Sequence, residues 1–116
     1  MDKYNLGTIQ TGITKTELWN GTLNTAGTTI TLNDSVKNYK FIYLYFYTYS
    51  STNHNSITMV IDTDDINISD AENAFLSSIS KGNIKYFGFN FTNGYNKLTA
   101  YNIYGTFELR RIVGIN

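Results

Sequence analysis

The side chains that could perform chemistry are few, and their types favour ligand contacts over catalysis. The only histidine, His54, lies in the polar segment 50–56, so a His-based metal cluster is excluded and a catalytic triad has one candidate member. The absence of cysteine excludes disulfides, thiolate metal sites and cysteine nucleophiles. No nucleophile motif or phosphate-binding glycine loop occurs. We therefore expect no catalysis. For His54 we favour an exposed loop position, with a hydrogen bond to a ligand as the alternative.

Acidic side chains concentrate in one short stretch, which holds Asp62, Asp64 and Asp65, with Asp70 nearby. Clustered carboxylates can hold a hard cation such as calcium, but the Gly and Glu positions of an EF-hand loop are not matched. Paired carboxylates are also the requirement for glycoside hydrolysis. We favour a solvated turn, with the cation site and the hydrolytic pair as open alternatives, and we expect no metal or cofactor.

A row of aromatic side chains is the strongest binding signal in the sequence. It alternates along one predicted strand and consists of Phe41, Tyr43, Tyr45, Tyr47 and Tyr49, which we call the tyrosine row. At about 3.3 Å per residue the row is roughly 26 Å long. Three explanations stay open: a second sheet covers it as core, a symmetry-related subunit covers it, or it is a platform on which the apolar faces of sugar rings stack.

Short strands must position these residues. Alternating apolar residues and turn signals at Asn20-Gly21, Ala26-Gly27 and Asn93-Gly94 predict seven to nine strands. Segment 69–80 is ambiguous between a capped helix and a strand, and we favour a strand or irregular structure. The fold class is therefore all-β, an antiparallel β-sandwich of jelly-roll type. The predicted core is Ile30, Leu32, Ile42, Leu44, Phe46, Ile57, Met59, Ile61, Phe87, Phe89 and Phe91, with Trp19 as a core plug rather than a ligand anchor.

Composition restricts the class of partner. The chain carries 9 basic and 9 acidic side chains, and this balance gives no support for a nucleic-acid partner. No stretch approaches the roughly 18 apolar residues of a membrane span, so no membrane insertion is expected. Residues 1–16 are Thr- and Gly-rich and are predicted to be a linker or the end of a stalk, which leaves 17–116 as the globular domain.

Several short motifs of this domain resemble a known family. They are Leu18-Trp19-Asn20-Gly21, the run from Thr29 to Val36, Tyr39 with the apolar strand that follows, and the ending Arg111-Ile112-Val113-Gly114-Ile115. Together they resemble the C-terminal head domains of tail-fibre and baseplate proteins from phages, and phage-tail-like bacteriocins, of low-GC Gram-positive bacteria. The resemblance covers about residues 17–116.

The resemblance implies a β-sandwich head at the tip of a trimeric fibre, made in the host cytoplasm and assembled into the virion. It implies a non-enzymatic receptor-binding domain whose partner is a cell-wall polysaccharide or a teichoic-acid-type glycan, with other tail proteins contacted through the N-terminal segment. The alternatives are a structural tail module and, more remotely, a glycan-degrading enzyme. From loop position and chemistry we assign the saccharide site to Tyr47, Tyr49, Asn53, His54, Asp64 and Tyr95.

Overall fold

The structure is a computed structural model that describes residues 12–50, 54–65, 74–80, 83–92 and 94–116; at residues 74–80, 83 and 84 the description covers the backbone. Within these ranges the chain forms eight strands in two four-stranded antiparallel sheets, which confirms the predicted all-β sandwich. The strands are β1 (Lys15–Leu23), β2 (Thr29–Thr31), β3 (Phe41–Tyr49), β4 (His54–Asp62), β5 (Ala74–Ser80), β6 (Asn83–Thr92), β7 (Lys97–Tyr104) and β8 (Phe107–Ile115).

One sheet has the order β1-β8-β3-β4 and the other the order β2-β7-β6-β5. Like a jelly roll, the described part of the sandwich has eight strands in two sheets. The consecutive strands β3–β4, β5–β6 and β6–β7 are each paired within one sheet. In the β3–β4 hairpin the register runs from Phe41 opposite Asp62 to Tyr49 opposite His54. These two pairs mark opposite ends of the sandwich, which we call the Phe41 end and the Tyr49 end.

The chain enters the sandwich at the Phe41 end. Thr14 and Asn116 exchange backbone hydrogen bonds of 2.8 and 3.0 Å, and Ile115 pairs with both Lys15 and Phe41. The first strand starts at Lys15, two residues before the predicted start of the globular domain at residue 17. The predicted linker up to residue 11 lies outside the described residues.

The core lies between the sheets and is dominated by phenylalanines. Phe46 of β3 lies 5.2 Å from Phe87 and 5.5 Å from Phe107, measured between ring centroids, both with edge-to-face geometry. Most of the predicted core is buried, but Ile30, Ile57 and Met59 are only partly buried against it. The predictions missed a second set of buried residues, which is Leu18, Leu23, Val36, Leu98, Ala100, Phe107, Leu109 and Ile112.

Two local predictions are corrected by the strands. Asn20-Gly21 is not a turn: β1 runs through it with irregular pairing to β8. The Trp19 indole lies so close to Gly21 that an added Cβ would be 2.7 Å from its Cζ2, and Trp19 packs on the core as predicted.

His54 is also not a loop residue, because β4 begins there. The ambiguous segment forms strand β5 from Ala74 onward, and residues 66–73 lie outside the described residues.

Membrane-spanning helices are absent from the described part of the chain: none of its helices is long and apolar enough to cross a bilayer.

Candidate functional site

The tyrosine row lies on the outer face of its sheet. Strand β3 alternates so that Ile42, Leu44, Phe46 and Thr48 are buried, while the row faces away from the second sheet. Tyr43, Tyr45 and Tyr47 are half-buried, and the ends of the row, Phe41 and Tyr49, are 42% and 38% exposed. The interpretation that the second sheet covers this row as core is therefore wrong. The sheet's alternation sends Phe46 and the tyrosines to opposite faces.

A β-bulge in the neighbouring strand brings two cations onto the same face. The pairing of β3 with β8 skips Arg110, because Tyr45 lies opposite Arg111 and Phe46 opposite Leu109. As a result two consecutive arginines are exposed between buried neighbours. Arg110 lies over the Tyr47 ring at 4.6 Å and Arg111 over the Tyr45 ring at 5.5 Å, measured from Cζ to ring centroid. Each arginine thus covers one tyrosine by a cation–π contact.

At the Tyr49 end the row becomes a cluster of three stacked rings, Tyr47, Tyr49 and His54, which we call the Tyr47 cluster. The Tyr47 and Tyr49 rings stack at 5.7 Å with 29° between their planes, and the Tyr49 and His54 rings stack at 6.3 Å with 16°. The Tyr47 hydroxyl and the Nδ1 of His54 are hydrogen-bonded. The cluster combines exposed aromatic groups of Tyr49 and His54 with polar atoms, a combination suited to a partner with both apolar faces and hydroxyl groups.

Charged residues from other strands fix the cluster in place. Glu108 is almost fully buried, and its carboxylate accepts a 2.6 Å hydrogen bond from the Nε of Arg110, which positions the guanidinium over Tyr47. On the other side, the Lys85 ammonium donates to the carbonyl oxygen of Tyr49 at 2.6 Å and to the Oγ1 of Thr106 at 2.7 Å. Because Lys85 belongs to β6, its side chain ties the second sheet to the end of β3.

The structure splits the six predicted saccharide residues into two groups. Tyr47, Tyr49 and His54 lie together, whereas Asp64 and Tyr95 lie at the Phe41 end, roughly 26 Å away along β3. Asp64 follows β4 in a short 3₁₀ helix, Thr63–Asp65, and its N–H donates to Asp62 at 3.0 Å. Asn53 lies outside the described residues. The described members therefore do not form one site.

Tyr95 belongs to the packing of the Phe41 end. It occupies the β6–β7 turn with a φ of 67° and is partly buried against the core. The Lys37 ammonium lies 5.0 Å from the centre of its ring and donates to the carbonyl oxygen of Thr63 at 2.5 Å. Lys37 thus connects the Tyr95 turn to the 3₁₀ helix that carries Asp64, which indicates a structural role for Tyr95.

A carboxylate network holds the same end together. Asp34 accepts hydrogen bonds from the Ser35 N–H at 2.8 Å, from the Asn38 amide at 2.8 Å and from the Tyr39 hydroxyl at 3.0 Å. The backbone N–H of Ser35, followed by Tyr39 and Asn38, lowers the pKa of Asp34 below its ordinary value of 3.8. Desolvation, together with the bond to Asp34, raises the pKa of Tyr39. The folded state therefore prefers Asp34 ionised.

This network predicts a pH effect on stability. Because the folded state lowers the pKa of Asp34, its contribution is fully present above pH 3.8 and is lost as the pH falls through the lower folded value. We expect Asp34→Asn to lose less stability than the wild type as the pH falls below 3.8, measured by urea unfolding at a series of pH values. Tyr39→Phe removes one donor and should show an intermediate pH dependence. Identical pH dependence in all three proteins would contradict the prediction.

The described residues contain no candidate metal-binding site. There, no group of three or more His, Asp or Glu side chains lies close enough to hold a metal ion. His54 and Asp64, which the sequence offered as candidate ligand-binding residues, lie far apart: His54 begins β4, and Asp64 lies in the 3₁₀ helix that follows the strand. The Tyr47 cluster offers stacking, cation–π contacts and hydrogen bonds, which are means of binding a ligand.

Sequence reasoning missed the residues that support the cluster, namely Glu108, Arg110, Lys85 and Thr106. One signal for them is present. Leu109-Arg110-Arg111-Ile112 breaks the apolar alternation with two consecutive cations, which is typical of a bulge that turns an extra residue to the surface. The bonds of Lys85 to the end of β3 depend on the packing of the two sheets, which has no local signature.

Comparison with known proteins does not identify a family for this chain. No protein-family model matches the chain, and no curated protein matches it. What the Tyr47 cluster can bind therefore follows from its own chemistry, which is that of stacked phenol and imidazole rings with a guanidinium over the Tyr47 ring.

Proposed function

We propose that this protein is a receptor-binding domain of a phage tail, or of a phage-tail-like bacteriocin, that attaches to a saccharide on the surface of Gram-positive bacteria without catalysis. The observation that carries the proposal is the Tyr47 cluster, in which Tyr47, Tyr49 and His54 present stacked rings at one end of the sandwich. Sugar rings have apolar faces that stack on aromatic side chains, and their hydroxyl groups suit the polar groups at the cluster's edge.

The position of the cluster supports this role. The chain enters the sandwich at Thr14, beside Asn116, and the cluster lies at the opposite end of β3. A domain attached through its N-terminal segment would therefore present the cluster away from the attachment point. The zero formal charge also suits a saccharide better than a nucleic acid.

We further propose a homotrimer at the tip of a fibre, made in the host cytoplasm and incorporated in the virion, with a cell-wall polysaccharide or a teichoic-acid-type glycan as the receptor. Three copies of a weak site facing a repetitive polymer gain avidity, by a factor of about 10² to 10⁴, without any new contact. The sequence motifs from Leu18 to Gly21 and from Thr29 to Val36, which resemble tail-protein heads, support this assembly.

The test is binding of the double variant Tyr47→Ala/Tyr49→Ala to purified Gram-positive cell walls and to an array of bacterial glycans. Each lost ring removes about 0.5–1.5 kcal/mol of stacking, so we expect the double variant to bind at least about 5-fold more weakly. Thermal unfolding of the same variant monitors its fold.

Val60→Ala is the matched control, because Val60 is 55% exposed on the neighbouring strand of the same sheet and lies away from the Tyr49 end. It should bind like the wild type. Wild-type protein that binds neither the walls nor any glycan would remove the basis of the proposal, and unchanged binding by the double variant would exclude the Tyr47 cluster as the site.

A second candidate function is a structural tail or baseplate module without a ligand. The observation in its favour is the exposure of Phe41 and Val60 on the outer face of the first sheet, near the Phe41 end. Exposed apolar residues next to one another are typical of assembly surfaces. Light scattering that gives a trimer, together with blank glycan binding and dissociation of the trimer by Val60→Asp, would favour this function.

A further inference from the structure

A second stacked tyrosine pair lies on the other sheet. Tyr86 of β6 and Tyr104 of β7 are directly paired across the strands, and their rings stack at 5.4 Å with 15° between their planes. Tyr104 is 58% exposed. Phe87, the neighbour of Tyr86, is fully buried, so alternation places the Tyr86–Tyr104 pair on the outer face of the second sheet. This pair is a second set of stacked, partly exposed rings, comparable to the Tyr47 cluster.

The pair lies at the same end of the sandwich as the Tyr47 cluster. Tyr104 is followed by the turn at Gly105 and Thr106, and the Thr106 carbonyl oxygen accepts hydrogen bonds from the Tyr49 N–H at 3.3 Å and from the Thr48 hydroxyl at 2.9 Å. The residue before Tyr86 is Lys85, whose ammonium donates to the carbonyl oxygen of Tyr49 at 2.6 Å. The two aromatic surfaces are thus joined by hydrogen bonds across the Tyr49 end.

The connection between the surfaces is close-packed. A Cβ added to Gly105, which has a φ of +84°, would lie 2.8 Å from the Cγ of Lys85. Glycine therefore allows the β7–β8 turn to lie against the Lys85 side chain. Because the sheets are held together at this point, a ligand that crosses the end meets both surfaces in a fixed relation, which reduces the ordering cost of binding.

We propose that the Tyr86–Tyr104 pair is a second saccharide subsite, and that one extended glycan chain crosses the Tyr49 end of the sandwich and stacks on both aromatic surfaces. The inference rests on the proposed saccharide binding and adds the class of ligand, a polymer rather than a single sugar or a disaccharide. With sheets about 10 Å apart and a ring layer on each outer face, the chain must span roughly 20 Å. Affinity should therefore rise with the length of the oligosaccharide.

The experiment compares two fragments of the glycan that wild-type protein binds on the array: one no longer than a disaccharide, and one long enough to span both surfaces. Calorimetric titration gives the Kd of each for the wild type, Tyr104→Ala and Tyr104→Phe. We expect Tyr104→Ala to weaken binding of the long fragment by about 3- to 10-fold and to leave the short fragment unchanged. Tyr104→Phe keeps the aromatic ring and should bind the long fragment with the wild-type Kd.

Ile13→Ala is the control for a change at an exposed apolar residue, since Ile13 is 71% exposed at the Phe41 end. Equal affinity of the wild type for the two fragments, or an unchanged Kd of Tyr104→Ala for the long one, would overturn the second subsite and leave the Tyr47 cluster as the whole site. Absence of any glycan binding by the wild type would instead overturn the proposed function, and the subsite with it.

Discussion

Phe46→Ala is expected to lower the free energy of unfolding by about 3–5 kcal/mol, the usual cost of removing a buried aromatic ring. Phe46 is 2% exposed, and its ring contacts three other phenylalanine rings, with centroid distances of 5.2 Å to Phe87, 6.2 Å to Phe89 and 5.5 Å to Phe107. These rings come from both sheets, so the cavity would lie where the two sheets meet. Urea unfolding followed by circular dichroism measures the change.

Phe41→Ala is the matched control for this measurement. Phe41 is the same residue type on the same strand, but it belongs to the outer face and is 42% exposed. We expect it to change stability by no more than about 0.5 kcal/mol, as is usual for surface positions. Where Phe46→Ala is too unstable to be purified, Phe46→Leu should show a smaller loss in the same direction. Similar losses at the two positions would contradict the assignment of the inner and outer faces.

Gly114→Ala is expected to cost about 1–3 kcal/mol, because no space exists for the added methyl group. A Cβ at this position would lie 2.5 Å from the Cγ and 2.6 Å from the Cδ1 of Tyr39. These ring atoms lie next to the Tyr39 backbone, and the far end of the side chain is tied to Asp34 by its hydroxyl. The ring therefore cannot swing away, and the strand or the segment before β3 must shift.

A double-mutant cycle tests the cause of this loss. In the Tyr39→Ala background the ring is absent, so adding Gly114→Ala should cost far less than it does in the wild type. All four proteins are compared by urea unfolding at neutral pH. A cost of Gly114→Ala that is the same with and without the Tyr39 ring would show that the contact is not the reason glycine is needed.

The parts of the fold that follow from alternation were predictable from the sequence. Strand β3 spans the residues over which the tyrosine row predicts a strand, and the turn that contains Gly94 connects β6 and β7. Asn20-Gly21 misled the prediction because turn chemistry there serves the packing of Trp19 instead. The dipeptide allows the backbone to form a turn, but long-range contacts determine whether a turn forms there.

The candidate site was predictable only in part. Tyr47, Tyr49 and His54 come together because β3 and β4 pair as a hairpin, so their proximity is encoded locally. Asp64 was predicted to join them because His54 and Asp64 were both expected in loops, yet His54 is the first of the nine residues of β4 and Asp64 lies beyond the last. The sequence alone does not predict the Tyr86–Tyr104 pair, because the pair depends on the register of β6 with β7 and its place near the Tyr49 end depends on the bond of Lys85 to Tyr49.

The antiparallel arrangement of β1, β8 and β3 also has a mechanical consequence. The chain enters at Lys15, and the Tyr47 cluster lies at the far end of β3, two strand pairings away. In the proposed role, tension between a bound surface and the N-terminal attachment would run along the strands and shear these two ladders. Ladder bonds lie perpendicular to the strands, so such a force strains many of them at once and does not open them one by one from an end.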